Sequence, residues 1–332
     1  MNEKISIKEI AAMTNVSVAT VSRVINNNGR FSEDTRRKVL KAIEDTGYKQ
    51  NKMAVGLRIN KSNMIGILVP DITNEFYSAI VKKCEQSLSE LGYSCIVCNT
   101  DRSPIKENKY LKRLSEHMVD GLIIISTNSS NEFLKLNIPM VFIDRNPNLE
   151  SKIIVQSDHY NGACTATNYL INTGFSPYMI TTKTRATATQ ERVRGFIDTL
   201  NENNVENNNR ILKLNLTSNE FLHKSVETKA FLQKIKNKKI GIFAINDNIA
   251  YLVLQLAKEL NLNIPQDISI IGFDDAPISK IATPQISSIR QNTDEIATQA
   301  ARLISERLDN PNIKISQTKI IPTDLVLRET TI

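Results

Sequence analysis

The sequence predicts a small all-α head of three helices followed by an α/β body of two lobes, each built on a parallel sheet. Three observations lead there. Between Met1 and Ser62 twelve basic side chains face six acidic ones, which places +6 of the +7 net charge in that segment and leaves +1 on the other 270 residues. Short capped helical patterns fill the start, whereas from Asn63 onward apolar runs alternate with amphipathic stretches, as strands covered by helices do. Finally, 332 residues are about twice the length of an ordinary domain. The boundaries expected are 1–49 for the head, 50–62 for a connecting segment and 63–332 for the body.

Composition narrows the setting. With 41% hydrophobic and 23% charged residues the chain falls among soluble globular proteins. No apolar run approaches the roughly 20 residues that span a bilayer, and MNEKISIKEI lacks the apolar core of a secretion signal, so a cytoplasmic protein without a membrane partner is expected. There Cys84, Cys95, Cys98 and Cys164 stay reduced. Cys95 and Cys98 have the spacing of a redox motif, but they lie in YSCIVCNT, which reads as a strand and turns the two thiols to opposite faces.

In the head, Ser6 and Glu9 fit a capping box that opens IKEIAAM as a first helix. Thr14-Asn15-Val16 makes a short turn, and Ser17 is placed to cap a second helix, VATVSRVI. Ser32, with Glu33 and Asp34 behind it, opens a third that runs to Gly47. The second helix carries the information. At about 100° per residue, Thr20, Val21 and Val24 share one face while Val18, Ala19, Ser22 and Arg23 share the other. A merely structural helix would more often show Lys, Glu or Gln to solvent. Small side chains instead let a helix axis approach base edges, and one arginine can make the two-pronged contact to guanine. This is the helix-turn-helix arrangement, in which the second helix enters the major groove; it gives the basic charge a nucleic-acid reading over that of a solvated surface.

In the body, MIGILVPDI, YSCIVCNT, VDGLIIIST, IPMVFIDR and IIVQSD read as buried strands, with NEFYSAIVKKCEQSLSELG as the first intervening helix. The pattern resumes with YMITT, RILKLNL, IGIFAIND and ISIIGFDD, separated by further helices. Ligands of open parallel sheets sit beyond the carboxyl ends of the strands. Asp71, Asp144, Arg145, Asn246, Asp247, Asp274 and Asp275 end strands and are the first candidates. Catalysis has little support. The three histidines, His117, His159 and His223, lack metal-ligand spacing, and no phosphate loop or hydrolase elbow is present. No enzyme, cofactor or metal is expected; strand-end acids paired with asparagine and arginine suit hydroxyl binding.

The run from Ile7 to Tyr48, IKEIAAMTNVSVATVSRVINNNGRFSEDTRRKVLKAIEDTGY, resembles the DNA-binding head of the lactose-repressor and galactose-repressor family of bacterial regulators. Its recognition-helix motif VSxxTVSRV reads Val16 to Val24 here. The resemblance implies that Val18, Ala19 and Arg23 read bases, while Ser17, Thr20, Ser22 and Asn28 hold phosphates or the groove edge. It also implies a hinge in QNKMAVGLRINKS, where Ala54 and Leu57 match and the leucine wedges into the minor groove. Gln50 and Val55 depart from the usual proline and arginine, and Gly56 lowers helix propensity by about 1 kcal/mol; a plain linker is the alternative.

The resemblance continues through PDITNEFY, VFIDR, QERVRGF, FAIND and IPQDISIIGFDD, and implies a periplasmic-binding-protein-like body of two lobes crossed by three connections. An effector would lie between the lobes, and two copies of the chain would pair along the body. Within that wider group the strand-end residues are most similar to those of ribose binders, as in ribose operon repressors. The similarity implies that Phe76 and Tyr77 sandwich a sugar ring, and that Asp144, Arg145, Arg192, Asn246, Asp274 and Gln291 bind hydroxyls. Phe221 is a further aromatic candidate, and TTKTRATATQ, 181–190, departs from the glycine-rich loop usual there. The expected function is a homodimeric repressor that binds operator DNA under control of a small ribose-like sugar. Control by a phosphoprotein or a purine, and a sugar-binding protein or enzyme, are the alternatives.

Overall fold

A computed structural model describes residues 5–49, 61–125, 136–147, 149, 152–184, 186–215, 221–236, 239–310 and 316–332, and of 221–225 the backbone alone. The chain divides into two compact units, Met1–Ser62 and Asn63–Ile332.

In the first unit the caps set the helices. The Ser6 hydroxyl accepts from the Glu9 N–H while the Glu9 carboxylate accepts from the Ser6 N–H, opening α1 (Ile7–Thr14). Ser17 caps α2 (Val18–Ile25) and Ser32 caps α3 (Glu33–Thr46), which ends at Gly47 in the left-handed region, φ 64°. Ile10, Ala11, Val21, Val24 and Val39 form its core, with Val16, Phe31, Ile43 and Tyr48 packed around them. The hinge residues Ala54 and Leu57 lie outside the described residues.

The second unit begins with β1 (Met64–Val69), α4 (Glu75–Glu90), β2 (Ser94–Asn99), α5 (Pro104–Glu116), β3 (Gly121–Ile124), β4 (Met140–Ile143) and β5 (Ile153–Ser157). It continues with α6 (His159–Asn172), β6 (Ser176–Thr182), α7 (Thr187–Glu202), β7 (Ile211–Leu214), α8 (Phe221–Ile235) and β8 (Ile240–Ala244). Then come α9 (Asp247–Glu259), β9 (Ile268–Asp274), α10 (Pro277–Ile281), β10 (Ser287–Gln291), α11 (Thr293–Asp309), β11 (Gln317–Ile321) and β12 (Thr323–Val326). Two sheets result, ordered β11-β5-β4-β3-β1-β2 and β12-β10-β9-β8-β6-β7. All pairs are parallel except β10 with β12.

The apolar pattern marks the strands through β9 but none of the elements after it. Those later elements cross between lobes. α11 buries Ile296, Ala297, Ala300, Ala301 and Ile304 in the core of the first lobe, and β11 pairs with β5 at that lobe's edge, while β12 returns to the second sheet. The lobes are thus joined three times, after Ser157, Gln291 and Ile321, as the resemblance implies. Cys95 and Cys98 pack into different clusters on opposite faces of β2. Burial pushes the Cys84 thiol up to about 12 and the Cys95 thiol to about 11, which makes both poor nucleophiles. Among the described residues no helix is long and apolar enough to cross a membrane.

In each sheet the strand order reverses beside the first strand, between β1 and β3 and between β6 and β8. A crevice opens beyond the carboxyl ends at such a point.

Candidate functional site

On the head, α2 presents what the wheel requires. Val18, Ala19 and Arg23 are exposed, Thr20 and Ser22 half-buried, and Val21 and Val24 buried. The Ser17 hydroxyl accepts from the Thr20 N–H at 3.1 Å and lies 2.9 Å from the Thr20 hydroxyl. Behind the helix the chain folds back so closely that a Cβ on Gly29, φ +81°, would lie 3.2 Å from Arg23 Cδ. The backbone there braces the arginine stem, and the exposed Asn28 donates its N–H to the Arg23 carbonyl at 3.0 Å. The face is small and uncharged apart from Arg23, and on it the Ser22 hydroxyl accepts from Asn26 Nδ2 at 3.3 Å.

In the body a cleft of about 140 Å³ opens at the strand ends of both sheets. From the first lobe it is lined by Asn74, Phe76, Tyr77, Arg102, Ile125, Ile143 and Asp144; from the second by Thr182, Thr184, Ala186, Ala188, Thr189, Arg192, Ile245, Asn246 and Asp274. Asn74 caps α4, accepting from the Phe76 and Tyr77 N–H groups, and so fixes where the two aromatics start. Asn246 caps α9 in the same way, accepting from the Ile249 N–H at 3.0 Å. Asp144, φ 51°, and Asp274, φ 112°, turn out of β4 and β9 in positive-φ conformations, which costs backbone strain of order 1 kcal/mol or more each.

A hydrogen-bonded chain ties these groups together. The Asp144 carboxylate accepts from the Ser157 N–H at 3.1 Å and lies 2.8 Å from His159 Nε2. Arg192 donates to His159 Nδ1 at 3.4 and 3.3 Å and to the Ile245 carbonyl at 2.6 Å. Its guanidinium lies 3.6 Å over the Phe273 ring and 3.7 Å from the Asp274 carboxylate. Gln291 Nε2 donates to Asp274 at 2.6 Å, while its Oε1 is buried with no hydrogen-bond partner among the described residues.

Burial governs the charges. It lifts Asp274 to about 6, with Asp144 adding to the rise and Arg192 and Gln291 opposing it. It also draws Arg192 below the usual arginine value, against the pull of Asp274 and Asp144. Both partners thus shift toward neutrality, because at 3.7 Å their attraction does not recover the desolvation of the two ions. Burial would raise Asp144 too, but the pull and hydrogen bond of the His159 ring N–H, the Ser157 N–H and the charge of Arg192 together hold it below the ordinary carboxylate range. Burial raises Tyr77 to about 12, so its hydroxyl remains a donor. A cavity with two carboxyl groups, two guanidinium groups, amides, hydroxyls and isoleucine walls suits a neutral polyhydroxylated molecule with an apolar face.

Not every expected residue faces this cavity. Arg145 does not line it: the guanidinium is buried in the first lobe, where it pairs with the fully buried Glu107 at 3.2 Å. One residue past Asp144 the chain directs the side chain into its own lobe, so the adjacent pair acts apart. Gln291 also stops short of the lining and reaches the cavity only through Asp274. Phe76 and Tyr77 both line it, but their rings meet edge to face, centroids 5.5 Å apart at 64°, and form a corner instead of two parallel walls. Asp247 and Asp275 serve the frame. The buried Asp247 carboxyl accepts from Ser288 and the Ala276 N–H over Gly272, where a Cβ would lie 2.1 Å from Asp247 Oδ1. Asp275 is held by Arg290 and Arg328. The Phe221 side chain lies outside the described residues.

His159 and Arg102 escaped the sequence reading. They lie two and three residues past the ends of β5 and β2, just beyond the strand-end positions that the sequence marks.

Residues 6–51 match the model of the bacterial regulatory proteins of the lacI family, and residues 167–331 that of the periplasmic binding protein-like domain. The ribose operon repressor of Halalkalibacterium halodurans is 32% identical over 98% of this chain and 97% of its own length. The chain belongs to the lacI family. A second relative, the HTH-type transcriptional regulator DegA of Bacillus subtilis, is 31% identical over 99% of this chain and 98% of its own. The lac repressor dimer bound to operator and the anti-inducer ONPF shares the fold, with a TM-score of 0.88 at 22% identity over 99% of both chains. As a lacI-family member the chain is a DNA-binding transcriptional regulator whose two-lobed α/β body is of the periplasmic-binding-protein type.

Proposed function

We propose that the chain represses a sugar-utilisation operon as a homodimer on a near-palindromic operator, and that a pentose, ribose first among them, is its signal. The observation that carries the effector class is the interlobe cleft itself. Asp144 from one lobe and Arg192, Asn246 and Asp274 from the other converge on about 140 Å³ beside the Phe76–Tyr77 corner. A sugar that lacks one hydroxyl would leave one of these buried groups unpaired, so discrimination comes with binding. The ribose operon repressor among the relatives supports the choice of pentose.

On the DNA side, Val18, Ala19 and Arg23 read bases, and Ser17, Thr20, Ser22 and Asn28 hold the backbone. Ala54 and Leu57 belong to the hinge that enters the minor groove at the operator centre. Sugar draws the lobes together and separates the hinge segments of the two copies. This shift requires that the sugar bind one lobe arrangement more tightly than the other, since tight binding alone moves no equilibrium.

Calorimetry with D-ribose, other pentoses, hexoses, purines and a phosphocarrier protein, followed by gel shifts with each at fixed salt, tests the reading. Saturable ribose binding that changes operator affinity supports it. Binding of a purine or of the phosphoprotein, with no pentose bound, replaces the effector; no preference for any duplex over random competitor ends the DNA reading.

A further inference from the structure

We infer that His159 is a positioning residue that couples the hydroxyl-binding groups of the two lobes, by holding Asp144 and Arg192 at the two nitrogens of one neutral imidazole ring. The inference deepens the sugar-sensing proposal and rests on it for its binding consequence, though not for the state of the ring.

His159 is the first residue of α6, two positions past Ser157, where the chain first crosses from one lobe to the other. It is 3% exposed, and its ring lies against Phe273 with centroids 5.9 Å apart. Nε2 meets the Asp144 carboxylate of the first lobe at 2.8 Å. Nδ1 meets Nε and Nη2 of Arg192, in the second lobe, at 3.4 and 3.3 Å. A guanidinium only donates, so Nδ1 must accept and carries no proton; a carboxylate only accepts, so Nε2 carries the proton. A protonated ring would aim a second N–H at the guanidinium. The geometry therefore selects the neutral Nε2–H tautomer, and through it the acceptor of one lobe and the donor of the other are fixed in spacing across the crossing.

Because α6 packs in the second lobe and Asp144 belongs to the first, any rotation of one lobe against the other changes the Asp144–His159 contact directly. A sugar that bridges Asp144 and Arg192 thus meets groups whose positions depend on this ring. Without it, Arg192 loses an acceptor for Nε and Asp144 its nearest donor.

The test has two readouts. In long-range ¹⁵N–¹H spectra of the sugar-free full chain at neutral pH, the His159 ring is expected to show a protonated Nε2 and a bare Nδ1. A ring protonated at Nδ1, singly or doubly, overturns the inference. In D-ribose titrations, His159→Ala is expected to lose about tenfold or more in affinity, as loss of a supporting hydrogen bond to a ligand-binding group does. His159→Gln, whose amide offers one donor and one acceptor at similar separation, is expected to stay within about threefold of the parent chain. Equal loss in both variants, or none in the alanine variant, overturns it. If the parent chain binds no ribose, the pentose reading fails while the tautomer still decides the role of the ring.

Discussion

The two recognition surfaces of this chain are built on opposite plans. On α2 the side chains proposed to touch DNA, Val18, Ala19 and Arg23, stand exposed. In the cleft Asp144, Arg192 and Asp274 are already bonded to His159, Ile245, Ser157 and Gln291. A site of the first kind gains bonds when its ligand arrives. One of the second kind exchanges them, and such an exchange can be coupled to a change in lobe arrangement, which suits a sensor.

If the plans are independent, each can be broken without the other. The largest effect is expected for Asp274→Ala, which removes the carboxylate paired with the buried Arg192 and leaves it only the more distant Asp144; loss of one partner of a buried pair costs about 3–5 kcal/mol. Effector affinity measured by calorimetry should fall by more than about a hundredfold, with operator affinity of the sugar-free chain unchanged. Next comes Arg23→Ala. Removing a two-pronged guanine contact costs about 1–3 kcal/mol of discrimination, so gel shifts at fixed salt should lose most of the preference for operator over random duplex while sugar affinity holds. Equal effects of both variants on operator affinity would contradict the two-plan account.

A smaller effect follows from acid. Asp274 titrates at about 6 in the folded chain against an ordinary 3.8, so the native state takes up its proton first as pH falls. This group therefore adds stability on acidification between these values and loses it again as pH rises, opposite to a salt-bridged carboxylate. A sugar hydroxyl that donates to Asp274 needs the ionised form as acceptor, so effector affinity should decline below pH 6 by up to about tenfold per unit. Smallest is Ser17→Ala. Loss of the cap on α2 should cost the head about 1 kcal/mol, visible as a lower melting temperature, with the cleft untouched.

How far each plan was legible in the sequence follows from its range. The head is specified within some forty residues: caps at Ser6, Ser17 and Ser32, and one amphipathic wheel, already determine which side chains face out. The cleft is assembled from residues up to 200 positions apart, from Asn74 to Asp274. Strand-end logic located Asp144, Asn246 and Asp274 because the sheet alone dictates where strands stop. It failed at Arg145, since the direction of a side chain just past a strand depends on a local positive φ at Asp144 and on the buried Glu107 that awaits it. It passed over His159, whose partners come from β4 and α7 and are invisible without the tertiary arrangement. The last two crossings carry no strand pattern of their own for a related reason: β11, QTKII, and β12, TDLV, are short and mixed in polarity, and only pairing with distant strands makes them strands.

The return of α11 and β11 to the first lobe also sets the order of events at the ribosome. The β1 to β5 segment, Met64 to Ser157, emerges well before Thr293, the start of the helix that covers one side of its sheet. At bacterial synthesis rates the interval is on the order of ten seconds, during which the face of β3, β4 and β5 beside α4 lacks the cover that α11 later supplies. A nascent chain of this design depends on protection from aggregation until nearly its last fifty residues are made, and a truncation before Thr293 disables the amino-terminal lobe as surely as the carboxyl-terminal one.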